Sequence, residues 1–336
     1  MSYLLYEKGL KENTLQLLRC YVTVTNNVDQ KAGNMSDGVV IKKYNNRRLY
    51  DTEKNAYVTL AALSEMIKEG RQIEVIDAQT KEDVTAFTLT QIILEEAAEA
   101  GVEEFCVVVC PGDESTYAGA SGALRDRVRF VAQREPRGYG HAVLCGRDFI
   151  GGEAFLHLVG DHLHVAQGAT SCARQLIGVA ESEDTPVSAV QPTHESLLTA
   201  YGTVGGRLVG GDRPLYQIET VFEKPTPTIA EQQLLVPGLR AGYYLCFFGM
   251  HVLPADIFEM LEEQGATTAG RSLGLSPALH ALAARRRYLA FNVAGRRYDI
   301  GAPYGLLFAQ FALTLAGRDR DRVLTQLVEL LATRQG

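Results

Sequence analysis

Five apolar runs of strand length constrain the fold of this chain more than any other feature. Helix-like stretches, such as residues 140–148 and 170–179, lie between them. Continuous apolar strands are buried on both faces, which is typical of a mainly parallel sheet covered by helices. The pattern predicts an α/β domain whose ligands bind at the carboxyl ends of the strands. The runs are FCVVVC (105–110), VRFVAQ (128–133), AFLHLVGD (154–161), PVSAVQPT (186–193) and YYLCFFGMHV (243–252).

A small α+β unit precedes this domain. VVIKKY begins at Val39 and alternates like a strand, and LYDTEKNAYVTL is typical of a hairpin. A helix, the strand QIEVIDA (72–78) and a second helix complete the unit. Residues 1–37 show no clear period and are predicted to be a linker or a poorly ordered extension. We therefore predict an N-terminal module over 38–96 and the larger domain over 97–336.

Composition changes abruptly within QIILEEAAEAGVEEF (91–105). Eight lysines and seven asparagines lie at or before residue 96, whereas only Lys224 and Asn292 follow it. Of the 24 arginines, 20 lie after that point. Such a step indicates two genetic origins and hence a fusion. Because the helical period continues through the stretch, we expect one helix to be shared by both units.

Charge and composition exclude several classes of protein. A net charge of -7 disfavours a broad polyanion-binding surface. The six cysteines form no C-x-x-C pair, which favours reduced thiols over disulfides or a zinc site. No apolar run reaches the roughly 18 residues of a membrane span. The sequence predicts a cytoplasmic protein with no membrane partner, and it leaves a homo-oligomer open.

Two aspartates follow predicted strands and are candidate metal ligands. Asp161 ends the strand in VGDHL (159–163), and Asp299 lies in RRYDIGAPYG (296–305) after a strand. Two carboxylates at a strand edge could hold Mg²⁺ on phosphate oxygens, although Asp299 could instead cap the next helix. His162 and His164 could form a zinc site with Asp161, or could simply point to opposite faces of a strand.

Two further segments suggest phosphate chemistry. Lys224 in FEKP (222–225) is a lone lysine in an arginine-rich region, so a compact ammonium group could be needed for a phosphate; a solvated turn is the alternative. In QREPRGYGHAV (133–143), Gly138 and Gly140 lead into a helix whose start favours negative charge.

The order and spacing of these segments resemble the bacterial UTP:glucose-1-phosphate uridylyltransferases, a branch of the sugar-phosphate nucleotidyltransferases, over residues 92–336. The resemblance implies a Rossmann-like sheet, Mg²⁺, and the substrates UTP and a sugar 1-phosphate, which react to give UDP-sugar and pyrophosphate. It also implies residue roles. These are nucleotide binding by Gln133, Gly138 and Gly140, metal binding by Asp161 and Asp299, sugar contacts by Gly202 and Glu223, and phosphate binding by Lys224.

Two departures from this family are visible. The family begins with a strand, a G-x-G-T-R type loop that wraps the triphosphate, and a P-K segment, none of which this sequence has. The predicted Rossmann-like nucleotidyltransferase sheet is therefore incomplete, with an exposed strand edge unless the N-terminal module covers it, and activity should be impaired. The segment 268–282 also lacks the acidic and glutamine residues usual in the family, which leaves the sugar open.

Residues 40–96 resemble the N-terminal domain of polyhydroxyalkanoate synthesis regulators, a module regarded as DNA-binding. IKKYNNRRLYDT and LTQIILEE carry the match. The resemblance implies DNA as a partner, and Lys42, Lys43, Arg47 and Arg48 form a basic patch that could contact phosphates. Tyr50 and Asp51 could instead pack and cap a hairpin. A regulator of polyhydroxyalkanoate synthesis and a non-functional fusion are thus the alternatives to the enzyme.

Overall fold

The computed structural model describes most of the chain. The described residues are 19–23, 39–43, 49–58, 62–63, 66, 73–79, 85–114, 117, 122–211, 213–267, 272–299, 308 and 320–333. The sequence also predicts two helices in the tail, around 304–315 and 320–333, and the first of them lies almost wholly outside the described residues. Within the described ranges, no helix has the length and apolarity needed to cross a membrane.

Fifteen strands form three sheets in the described residues. Their bounds in chain order are β1 Arg19–Thr23, β2 Val39–Lys43, β3 Leu49–Asp51, β4 Ala56–Val58, β5 Ile73–Asp77, β6 Glu104–Val109, β7 Val128–Ala132, β8 Phe155–Val159, β9 His162–Ala166, β10 Val187–His194, β11 Gly202–Leu208, β12 Leu215–Glu223, β13 Tyr243–Leu253, β14 Leu289–Asn292 and β15 Gly295–Asp299.

Helices lie between many of these strands in the chain. Their bounds are α1 Thr85–Glu99, α2 Tyr139–Leu144, α3 Arg147–Ile150, α4 Cys172–Glu183, α5 Pro227–Gln233, α6 Ile257–Thr267, α7 Ser276–Arg285 and α8 Arg320–Thr333, with 3₁₀ turns at Gly122–Arg127 and Glu195–Ala200. One hydrophobic cluster includes Leu156 and Leu176, and another includes Phe155 and Phe258. Neighbouring residues of a strand point to opposite faces, so β8 contributes to both clusters and is buried on both sides.

The large sheet has the strand order β10-β14-β12-β11-β13-β8-β1-β6-β7. Strand β1 pairs in parallel with both β6 and β8, with Val22 opposite Val107 and Leu158. The region predicted as a linker or extension thus contributes five residues to the middle of the sheet. They occupy the gap where the sequence suggested an unprotected edge, because a central strand satisfies the backbone groups of both its neighbours.

The large sheet is mixed rather than mainly parallel. Strands β8, β1, β6 and β7 are parallel, but β13 runs antiparallel to β8, β10 and β11, and β12 runs antiparallel to β11 and β14. The α/β class predicted from the sequence is confirmed. The prediction of a mainly parallel sheet was wrong in its second half, because β11 and β12 are polar in part and do not form continuous apolar runs.

The N-terminal module has a four-stranded sheet in the order β4-β3-β2-β5. Asp51 is buried, and its Oδ1 accepts hydrogen bonds from the backbone of Glu53 and Lys54 at 2.9 and 3.0 Å, so it caps the hairpin turn. Helix α1 runs without interruption from Thr85 to Glu99 and ends before β6. The junction in composition is therefore a single helix, as predicted.

Candidate active site

The carboxyl ends of the parallel strands lie together on one side of the large sheet, the ligand-binding edge. Two predicted site residues follow these strand ends. Gln133 comes directly after β7, and its backbone N–H donates to the carbonyl of Val109 at the end of β6 (2.9 Å). Asp161 lies in the tight turn between β8 and β9. Thr23, the last residue of β1, also lies at this edge. The edge is where ligands of such sheets bind.

The structure brings Asp161 and Asp299 together. Strands β9 and β15 form an antiparallel ribbon in which His162 faces Asp299. His162 Nε2 lies 3.9 Å from Oδ1 of Asp161 and 4.0 Å from Oδ2 of Asp299. Both carboxylates are partly exposed, so they are accessible from the sheet edge. The pKa of His162 is well below its usual range because of burial and nearby Arg297, so the imidazole between the carboxylates is neutral.

The donor set of this pair fits Mg²⁺. Magnesium prefers oxygen ligands and is commonly held by one or two protein carboxylates, with water and substrate phosphates completing the octahedron. Asp161 and Asp299 would hold the ion, and a bound ion would neutralise charge on phosphate oxygens.

A zinc site that uses His162 and His164 does not fit. Among the described residues, no group of three or more His, Cys, Asp or Glu side chains could hold a metal. Residues two apart in a strand share a face, so the proposal that the two histidines point oppositely was also wrong. Their ring centroids are 6.4 Å apart, and His164 Nε2 donates to the carbonyl of Phe248 (3.2 Å). Both histidines pack the ribbon against β13.

The two predicted sugar contacts are neighbours in the structure. Gly202 begins β11, Glu223 ends β12, and the two are cross-strand partners in this antiparallel pair. The Oγ of Ser276 donates a hydrogen bond to Oε2 of Glu223. A Cβ on Gly202 would lie 2.8 Å from the Phe247 ring and 3.2 Å from Glu223 Oε2, so the close approach requires glycine. Ser276 orients Glu223 and was not predicted, since a serine at a helix start is usually only a cap.

Lys224 adopts a left-handed backbone conformation, with φ of 48°. Its N–H donates to the carbonyl of Tyr201 (3.2 Å), and its side chain is exposed. A non-glycine residue in this region is strained, and such strain is concentrated at functional sites. The bond to Tyr201 holds Lys224 next to Gly202 at the end of the β11–β12 pair.

Residues 133–141 form a closed loop that follows the carboxyl end of β7. Gln133 Nε2 contacts the carbonyl of Gly138 at 3.1 Å and Nδ1 of His141 at 3.0 Å. Gly138 has φ of 96°, and a Cβ there would clash with Leu273; a Cβ on Gly140 would lie 2.6 Å from the Gly274 carbonyl. Both glycines therefore let the loop approach the segment that precedes α7. With both amide hydrogens of Gln133 used, its Oε1 is left for a ligand.

A row of buried polar side chains contacts the helix that follows this loop. The hydroxyl of Tyr139, the first residue of α2, contacts Nε2 of His157 in β8 (3.2 Å). The ring of His157 lies 5.7 Å from that of His251, whose Nδ1 contacts the hydroxyl of Ser188 (2.6 Å). This row of side chains could not be predicted from the sequence, because its members come from four separate elements.

The basic patch of the N-terminal module is only partly within the described residues. Lys42 is exposed on β2, and Lys43 ends that strand; Arg47 and Arg48 lie outside the described residues. Lys42 is the cross-strand partner of Tyr50, which in turn faces Tyr57 with ring centroids 5.4 Å apart. Lysine and two tyrosines therefore form a row on one face of the small sheet.

Comparison with known proteins gives two family matches. Residues 40–100 match the PHB/PHA accumulation regulator DNA-binding domain, and residues 80–314 match the nucleotidyl transferase family. The two matches overlap over 80–100, a range that contains α1. The overlap agrees with one helix belonging to both units.

Sequence relatives and solved structures agree with the larger match. UTP–glucose-1-phosphate uridylyltransferase of Bacillus subtilis (strain 168) is 29% identical over 265 residues, 72% of this chain and 85% of that protein. The enzyme of Streptococcus pneumoniae serotype 4 is 30% identical over 241 residues, 65% of this chain and 76% of that protein.

Two solved structures share the fold. A UDP-glucose pyrophosphorylase complexed with UDP-glucose has a TM-score of 0.59 at 22% identity and covers 90% of this chain and 100% of that one. A UTP-bound UGPase from Acinetobacter baumannii has a TM-score of 0.60 at 19% identity and covers 93% and 99%. The match over residues 80–314 and the sequence relatives show that the chain belongs to the nucleotidyl transferase family, among the bacterial UTP–glucose-1-phosphate uridylyltransferases.

Proposed function

We propose that this chain transfers a uridylyl group from UTP to a sugar 1-phosphate, glucose 1-phosphate first among them, with Mg²⁺ as cofactor. The observation that carries the proposal is the placement of Asp161 and Asp299 within 4.0 Å of one imidazole at the ligand-binding edge. The relatives named above support the choice of substrates. Attack of the sugar phosphate oxygen on the α-phosphorus forms one P–O bond and breaks another, which releases pyrophosphate.

The chain's own residues have separate tasks in this reaction. Asp161 and Asp299 would hold Mg²⁺, which neutralises negative charge on the transferred group. Lys224 presents an ammonium group to the phosphate of the sugar, and Glu223, held by Ser276, accepts hydrogen bonds from sugar hydroxyls. Such a transfer depends on positioning and charge neutralisation and needs no strong base.

Base selection is assigned to Gln133. Both hydrogens of its amide are directed at Gly138 and His141, so Oε1 can only accept a hydrogen bond. Uracil offers an imide N–H to such an acceptor, whereas cytosine offers a bare ring nitrogen at the same position. The arrangement therefore favours UTP over CTP.

Turnover is expected to be slow. The sequence has no G-x-G-T-R type loop, and its N-terminal 96 residues contain only Gly9, Gly33, Gly38 and Gly70. Backbone N–H groups of such loops hold the triphosphate, and their loss removes donors that stabilise the transition state. Strand β1 restores the sheet but does not supply those donors.

The test is pyrophosphate release from UTP and glucose 1-phosphate by the full chain with Mg²⁺. We expect slow release that requires both substrates and falls at least ~100-fold in Asp161→Asn and Asp299→Asn, because each loses a charged metal ligand. Arg207→Met, at an exposed surface pair, is the matched control and should keep wild-type activity. Release that is absent in wild type, or equal in the Asn variants, would refute the proposal.

A second function, DNA binding by the N-terminal module, is favoured by the row of Lys42, Tyr50 and Tyr57 and by the regulator match. Phosphate contacts by lysine and arginine give affinity that falls with salt. Binding of a duplex from the gene's upstream region should weaken with rising salt and be lost when Lys42, Lys43, Arg47 and Arg48 are all replaced by Ala. Unchanged binding by that variant would exclude this patch.

A further inference from the structure

Arg297 contacts both halves of the candidate active site. It lies in β15, two residues before Asp299, and its side chain is directed at the neighbouring strands. Its Nη1 donates to the carbonyl of Phe247, whose ring is the first neighbour that a Cβ on Gly202 would meet. Its guanidinium carbon lies 3.6 Å from the centroid of the Tyr201 ring. The Arg297 side chain therefore extends from the strand that carries Asp299 to Phe247 and Tyr201, which lie beside the predicted sugar-phosphate residues.

A bulge in β13 makes this contact possible. Between the pairs Ser188–His251 and Val190–Phe247, residues 248–250 of β13 lie opposite the single residue Ala189 of β10. Carbonyl groups of this segment are therefore left out of the hydrogen-bond ladder. His164 donates to one of them, that of Phe248. Gly249 has φ of 88°, and the His162 imidazole packs where a Cβ would be. The ribbon of β9 and β15 therefore has a single docking position on β13.

The guanidinium is a costly group to place here. Arg297 is only 8% exposed, and its Nε has no hydrogen-bond partner among the described residues. A buried charge costs free energy unless it is paired, so an apolar side chain would fill this space more favourably. The planar fork of arginine lets one nitrogen donate to the Phe247 carbonyl while the guanidinium carbon lies 3.6 Å from the centroid of the Tyr201 ring. These two contacts fix the distance between β15 and the β11–β12 pair.

We propose that Arg297 is a positioning residue that couples metal binding at Asp299 to sugar-phosphate binding at Glu223 and Lys224. The backbone of Tyr201 accepts the Lys224 N–H, so a shift of the guanidinium moves the strained lysine and the aspartate relative to each other. The inference rests on the proposed function. It requires that Mg²⁺ and a sugar nucleotide strengthen each other's binding through this side chain.

Calorimetric titration of the full chain with UDP-glucose, with Mg²⁺ and with EDTA, tests the coupling without turnover. In wild type, Mg²⁺ should strengthen UDP-glucose binding ~10-fold; in Arg297→Met the gain should fall to ~2-fold or less. Arg297→Lys keeps the charge but loses the fork, and should recover only part of the gain. Arg207→Met should match wild type, and circular dichroism checks that each variant is folded.

Tyr201→Leu removes the ring beneath the guanidinium and provides a second test if Arg297→Met fails to fold. It should reduce the Mg²⁺-dependent gain while leaving β15 unaltered. A wild-type chain that binds no UDP-glucose with Mg²⁺ would refute the proposed function itself. A wild-type gain that persists in Arg297→Met and Tyr201→Leu, or a wild type that binds equally with and without Mg²⁺, would refute the coupling role alone.

Discussion

The carboxylate of Glu96 faces the backbone N–H groups of Cys172 and Ala173, at the first turn of α4. Glu96 lies in the junction helix α1, within the stretch where composition changes. A carboxylate at a helix N-terminus is favourably placed for the helix dipole. The helix shared by the two matched families is therefore attached to the nucleotidyltransferase domain by a specific polar contact as well as by apolar packing of Ile93 and Ala97.

Glu96→Gln should stabilise the protein above pH 7. Burial raises the pKa of Glu96 to about 7 from 4.5, so the folded state binds a proton that the unfolded state releases between these values. The contribution of this group is fully present below pH 4.5 and is lost as pH rises through 7, by up to ~3 kcal/mol. The glutamine amide keeps an acceptor and does not ionise. Urea unfolding at pH 8 should show a more stable variant, with no difference below pH 4.5; equal stability at both pH values would contradict this.

Lys224→Gly and Lys224→Met separate backbone strain from chemistry. The left-handed conformation costs about 1 kcal/mol for a residue with a Cβ, and glycine relieves it. The Gly variant should therefore be as stable as wild type or up to ~1 kcal/mol more stable, since its greater unfolded-state entropy offsets part of the gain. Both variants should lose affinity for the sugar 1-phosphate. A Met variant with the wild-type KM for glucose 1-phosphate would show that the ammonium group has no role.

Acid should unfold the protein through its buried histidines, among them His157 and His251. Burial lowers the pKa of His157 well below 6.5 and that of His251 to about 3, so both are neutral when folded. Their stabilising effect is fully present above pH 6.5 and is lost as pH falls below it, at ~1.4 kcal/mol per pH unit for each histidine. Glu96 has the opposite dependence between pH 4.5 and 7, so the Glu96→Gln background is the better one for the measurement.

The measurement is the free energy of unfolding from pH 7 to pH 5 in that background. His251→Gln should reduce the slope by about one proton, because one buried titrating group is removed. His194→Gln, at an exposed histidine, is the matched control. A free energy that stays constant over this range would contradict the assignment of buried, neutral histidines.

Ser276→Ala should weaken sugar binding selectively. The Ser276 hydroxyl donates to Glu223, and a hydrogen bond to a charged group contributes about 1.5–3 kcal/mol, which corresponds to a rise in KM of roughly 10- to 100-fold. The KM for glucose 1-phosphate should rise while the KM for UTP stays the same. Ser276→Thr keeps the hydroxyl and should behave like wild type. A parallel rise in both constants would indicate a general structural effect instead.

Much of the fold could be predicted from hydrophobic pattern alone. The strands β6, β7 and β8 and the helix α4 are apolar enough to be recognised locally, and α1 has an unbroken helical period. Strand β1 could not be recognised, because RCYVT is short and has no flanking pattern; its place depends on a gap between β6 and β8 that exists only in three dimensions.

The site shows the same division between local and long-range information. Asp161 and Gln133 end strands that the pattern predicts, so their position at one edge follows from the sequence. Asp299 required the ribbon register to bring it opposite His162. Arg297 could not be predicted, because its partners Tyr201 and Phe247 are far away in sequence and a lone arginine usually lies at the surface.

The most direct test of the account is the fate of the α-phosphate. The full chain is incubated with UTP labelled at the α-phosphorus, glucose 1-phosphate and Mg²⁺, and the products are separated by chromatography. The account predicts that label accumulates slowly in UDP-glucose in wild type, and at least ~100-fold more slowly in the variant in which Asp161 and Asp299 are both replaced by Asn. Label that never enters UDP-glucose, or that enters it equally in the double variant, would contradict the account.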